Sequence, residues 1–138
     1  MKSSALLFFA MLFAGFTLTG QIRKNPTDEE VMRVHAKALT VDTHCDTPMN
    51  MLNRGFDIGI RQSTGQVDLV RMKEGGLDAM FFAAFVGQKP RTEQNYLEAY
   101  SLAMEMIDTT IAQVERNSDL AEIALTADDA SRISRKEK

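Results

Sequence analysis

One cysteine, no apolar run of membrane-spanning length and no basic stripe: each shortage in this sequence closes a class of reading. With Cys45 alone, no internal disulfide can form, and a lone cysteine beside a strand is more often a small packing residue than a reactive thiol. The run from Ala5 to Phe16 falls short of the roughly 20 apolar residues that a membrane helix needs. The 16 basic residues are set against 19 acidic ones, for a net charge of -3. They form no stripe interleaved with aromatics, so the footprint of nucleic-acid binding is absent. Internal repeats and low-complexity tracts are absent too. What is there is a 138-residue chain, 44% hydrophobic and 25% charged, which suits a globular protein of at most one domain.

The N-terminus is patterned differently. Lys2 precedes the run "ALLFFAMLFAGF", and small and polar residues "TLTGQ" follow. Residues 1–20 are therefore expected to be a secretory signal peptide, with cleavage near Gly20 and Gln21 and residues 21–138 as the mature domain. An uncleaved signal anchor is the rival reading. No cysteine near the cleavage region offers a lipid attachment site. The expected location is periplasmic or extracellular, free or membrane-associated.

Along the mature chain, Thr27 followed by Glu30 forms a capping-box pattern, and Val31, Val34, Ala38 and Leu39 recur at helical spacing, predicting a helix over Asp28 to Ala38. "LTVDT" predicts a strand over Thr40 to Thr43. Thr47 is expected to cap a short helix with Pro48 in its first turn and Gly55 past its end, and the stretch Gly55 to Gly65 is expected to be loop. "VDLVRMKEGG" predicts a short helix closed by Gly75 and Gly76. The nearly unbroken apolar run Leu77 to Val86 predicts a strand covered on both faces. A long helix should begin near Thr92 or Asn95, with Leu97, Tyr100, Met104, Ile107, Ile111 and Val114 as its core stripe. Thr126 with Asp129 starts a last helix that carries Ala130 and Ile133 on one side. The alternation implies an α/β fold with a parallel sheet and helical crossovers. Two strands do not close such a fold. If it is a (β/α)8 barrel of about 250 residues, this chain supplies about the first quarter of its strands and is expected to be incomplete.

The chemistry centres on "VDTHCDTP", residues 41 to 48. In a strand, side chains at i and i+2 share a face, so His44 and Asp46 can converge while Cys45 points away. An imidazole nitrogen beside a carboxylate oxygen is a partial shell for a divalent ion such as zinc, at the C-terminal end of a first strand where parallel barrels build their sites. The same residues are compatible with a hydrogen-bonded histidine and an aspartate that orients a polar neighbour. His35, on the first predicted helix, is expected to be a surface or packing residue.

The peptide "VDTHCDTP", followed by "QVDLVRMKEGGLDAMFFAAFV", resembles the opening of the membrane dipeptidase (renal dipeptidase) family of zinc metallopeptidases. That family begins with a His-x-Asp strand and continues with a D-L-x-R-h-x-x-G-G-h-x-A-x-F-F segment, where h is apolar, here Asp68 to Phe82. "LTADD", Leu125 to Asp129, is also similar to its region ahead of the third strand. The resemblance implies a binuclear zinc (β/α)8 barrel that hydrolyses dipeptides and related β-lactam amides, with His44 and Asp46 as ligands of one of two Zn2+ ions. Dipeptides are the implied partners, nucleic acid is not, and a homodimer is open to the complete enzyme. The family's bridging Glu, its later His ligands, its carboxylate-binding Arg and its acid/base Asp find no counterpart in residues 1–138. No catalytic residue is therefore assigned, and the chain is expected to be inactive alone. The alternatives are another amidohydrolase-like metal hydrolase and a non-catalytic secreted remnant or binding module.

Overall fold

The computed structural model describes residues 25–53 and 55–136, and the expected signal peptide lies outside them. Its elements are α1 (Asp28–His35), β1 (Val41–Cys45), α2 (Pro48–Met51), α3 (Leu69–Gly75), β2 (Ala79–Phe82), α4 (Glu93–Arg116) and α5 (Ala127–Lys136). β1 and β2 pair in parallel, with α2, a loop and α3 forming the crossover between them. No helix among the described residues is long and apolar enough to cross a membrane.

Local chemistry explains where the elements start. The Thr27 hydroxyl accepts the Glu30 N–H at 3.2 Å while Glu30 Oε2 accepts the Thr27 N–H at 2.8 Å, the reciprocal capping box that the sequence announces. α1 ends at His35 rather than Ala38, because the chain tightens into i→i−3 bonds from Lys37 to Val34 and from Ala38 to His35. None of α1 is buried, so its Val31 and Val34 do not form the packing stripe their spacing suggests. The Thr92 hydroxyl accepts the Asn95 N–H to start α4, and Thr126 with Asp129 caps α5 through bonds in both directions. Thr47 departs from expectation. It is itself helical, makes no side-chain cap and places its hydroxyl 3.1 Å from Cys45 Sγ.

The crossover is held by a buried carboxylate. Asp68 is fully buried and caps α3 by accepting the Arg71 N–H at 2.8 Å; it also accepts the Gln62 N–H at 2.9 Å and Arg71 Nε–H at 2.7 Å. Arg71 Nη1 reaches back to the Gly65 carbonyl, so the loop is cross-braced over its own base. Burial pushes the Asp68 carboxyl up and is the largest single influence, but the Gln62 and Arg71 hydrogen bonds together with the Arg71 charge outweigh it and hold the group below the usual carboxylate range. α3 closes on Gly76, whose left-handed φ of 67° a side chain would resist. A Cβ there would also lie 2.7 Å from His35 Nε2, which donates to the Gly75 carbonyl at 3.0 Å. His35 is thus a packing residue that ties α1 to the end of α3.

Met51, Ile58 and Leu69 form the core, flanked by Phe56, Met72, Phe82, Leu120 and Ala121. α4 joins this core through an unexpected face. Its buried residues are Met106, Thr110, Gln113 and Val114, whereas Leu97, Tyr100, Met104, Ile107 and Ile111 are exposed; of the expected stripe only Val114 is buried. The cause is polar. Gln113 Nε2 donates to the Phe56 carbonyl at 2.8 Å and its Oε1 accepts the Ile58 N–H at 3.1 Å, so one side chain satisfies two backbone groups of the loop. Asn117 Nδ2 adds a bond to Asp57 Oδ1. These directional contacts fix the rotation of α4 about its axis, because leaving buried amide groups unpaired would cost about 1–3 kcal/mol each.

β2 is also shorter than the apolar run that contains it. The ladder stops where β1 stops, with the Ala83 N–H donating to the Cys45 carbonyl as its last rung. Phe81 and Phe85 are exposed, so the described residues do not cover this strand on both faces as expected.

Candidate metal centre

β1 delivers His44 and Asp46 to the C-terminal rim of the sheet. His44 is the penultimate residue of the strand and Asp46 lies just past its end. Their side chains meet, with His44 Nε2 3.1 Å from Asp46 Oδ1, while Cys45 between them is buried in the opposite direction. The side chains of His44 and Asp46 are 66% and 52% exposed, so the pair is open to a ligand on its outer side. An exposed side-chain contact of this kind adds little to stability.

The strand is not regular where it carries them. Val41 pairs with Ala79, Asp42 with Met80 and Cys45 with Phe82, so three steps in β1 match two in β2. This is a β-bulge, with one extra residue between Asp42 and Cys45. It explains why Thr43 and His44 are both exposed where strict alternation would turn one of them inward. Across the rim, β2 runs out into Ala83 and Ala84, which carry no donor.

The donor chemistry fits a zinc-type ion. Two ligand atoms bound at about 2.0–2.1 Å on a tetrahedral centre stand about 3.3 Å apart, close to the spacing His44 and Asp46 already have. They supply part of a shell only, since among the described residues no three His, Cys, Asp or Glu side chains converge on one point. An apolar hollow of about 130 Å³ lies beside Pro48, lined by Phe82, Met106 and Ile111 among others. Drug-sized ligand sites run to about 300–1,000 Å³, so this hollow by itself is a small one.

The sequence reading placed His44 and Asp46 together, and the structure does so. It overlooked Asp42, whose Oδ1 accepts the His44 N–H at 3.0 Å. The signal available was a second aspartate two residues before the histidine, which reads as ordinary strand polarity until the bulge is seen.

Among known families, the model described as membrane dipeptidase (Peptidase family M19) matches residues 28–138. No curated protein matches the chain.

Proposed function

This chain belongs to the membrane dipeptidase family, and on that premise we propose that it is the N-terminal portion of an exported zinc-dependent dipeptidase. The observation that carries the reading is the convergence of His44 Nε2 and Asp46 Oδ1 on an open rim at the end of the first parallel strand. In a (β/α)8 barrel that rim is the catalytic face. His44 and Asp46 would hold one zinc, and further strands would supply the other ligands, the second ion and the acid/base group. Bound zinc supplies a hydroxide-like water near neutral pH and polarises a scissile carbonyl.

The chain's own residues do three things in this scheme. His44 offers a neutral imidazole nitrogen, Asp46 offers a carboxylate oxygen that offsets the ion's charge, and the buried Cys45 with Thr47 anchors the turn that follows. The braced crossover then fixes β1 against β2, so the two donors sit on rigid backbone rather than on a free loop.

The test is to express the complete reading frame that contains this chain and measure bound zinc and dipeptide hydrolysis. The expected result is continuation past Lys138 into the remaining ligands, with stoichiometric zinc and turnover, both lost in His44→Ala and Asp46→Ala. Residues 1–138 alone should show neither. Zinc content unchanged by both substitutions would overturn the metal reading, and dipeptide turnover by residues 1–138 alone would overturn the reading that they are one portion of the site.

A further inference from the structure

We infer that Asp42 is a positioning residue for the metal pair: its carboxylate holds the β1 bulge that aims His44 at the open rim. The inference rests on the proposed metal reading of His44 and Asp46 but identifies a residue outside that ligand set.

The argument starts from register. Residues paired across a ladder project to the same side of the sheet, and Met80 and Phe82, two apart in β2, share a side. Their partners Asp42 and Cys45 therefore also share a side, although they are three apart in β1. Only the extra residue between them makes this possible. Without the bulge, strict alternation would put Cys45 on the side opposite Asp42 and carry His44 over to the side that Cys45 now occupies. The bulge thus decides which face of the sheet receives the imidazole.

A bulge removes its extra residue from the regular ladder and leaves backbone groups to be satisfied otherwise. Here the His44 N–H is taken by Asp42 Oδ1 at 3.0 Å. Asp42 is thus a side-chain acceptor built into the same strand, two residues upstream of the group it serves. What it supplies is an oxygen in the right place, and its negative charge is incidental to that task.

Two substitutions separate placement from charge. Asp42→Asn keeps an acceptor oxygen at the same reach without the charge, whereas Asp42→Glu keeps the charge and moves the oxygen one methylene on. In the protein expressed from its complete reading frame, zinc affinity is read by chelator competition and backbone exchange over residues 41–47 by hydrogen–deuterium exchange of the metal-free form. We expect Asp42→Ala and Asp42→Glu to weaken zinc binding by about 10–100-fold, as loss of a group that orients a metal ligand does, with faster exchange at the His44 amide. Asp42→Asn should lose less than the roughly 10-fold that marks a lost orienting group, because its acceptor oxygen is retained. Equal losses in Asp42→Asn and Asp42→Glu, or unchanged zinc affinity in Asp42→Glu, would overturn the proposal. Should Asp42→Ala not fold, the Asn and Glu variants still decide it. If the parent protein takes up no zinc, the metal reading fails separately, and the positioning claim is then judged on exchange: it stands if the Glu variant alone loosens the His44 amide and falls if neither variant does.

Discussion

Asp68 and Asp46 stand 22 residues apart in one crossover, yet the structure puts the same carboxylate to opposite uses. Asp68 is fully buried, and its oxygens are taken by two backbone amides and the Arg71 guanidinium. Asp46 is half exposed and touches His44 on one side only. A carboxylate whose lone pairs are already engaged in a dry site is structural, since any new ligand would have to displace bonds that burial makes hard to replace. One with an open side, beside a second donor, is available for binding. The difference lies in surroundings, not residue type.

That contrast can be broken most severely at Asp68. Asp68→Ala strands two backbone N–H groups and a part-buried guanidinium, and removing one partner from a buried charged network costs about 3–5 kcal/mol. Urea denaturation should show a loss of that size, and a change under about 1 kcal/mol would mean that the crossover is not held by this carboxylate.

Acid should act on the same hub more gently. The Asp68 carboxyl lies below its ordinary value when folded, so the folded state binds its proton less readily than the unfolded state does. Its contribution is therefore fully present above the unfolded value of about 3.9 and is lost as pH falls through the lowered folded value. Urea midpoints measured between pH 7 and pH 3 should fall at the acid end, and the fall should be shallower in Asp68→Asn. A rise in stability on acidification would contradict the assignment.

The smallest effect on folding belongs to the rim. His44→Ala should leave stability within about 0.5 kcal/mol, as exposed substitutions do, while removing an imidazole donor from the candidate metal centre. A destabilisation above about 1.5 kcal/mol, beyond what exposed sites give, would show that His44 is a packing residue after all.

Much of this was legible in the chain itself. Thr27 with Glu30, Thr92, and Thr126 with Asp129 each mark a helix start, because a cap is made by residues within one turn. Gly76 marks the helix end for the same local reason. The approach of His44 to Asp46 needed only the period of a strand. The bulge went unseen, since nothing in "VDTHC" by itself says that β2 will match three steps with two. Asp68 was legible only as the first residue of the D-L-x-R segment, and its burial was not. Its role depends on Gln62 and Arg71 arriving around it.

The sequence by itself therefore determined the caps at Thr27, Thr92 and Thr126, the left-handed glycine, the order of elements and the meeting of His44 with Asp46, all decided within a few residues of backbone. The tertiary structure decided which face of α4 is buried, where β1 gains its extra residue and which aspartate is sealed from water. The physical reason is one of range. Gln113 could override the apolar stripe of α4 because the two backbone groups it satisfies, at Phe56 and Ile58, lie 57 and 55 residues away. A helix cannot declare in its own sequence which unpaired amides it will meet.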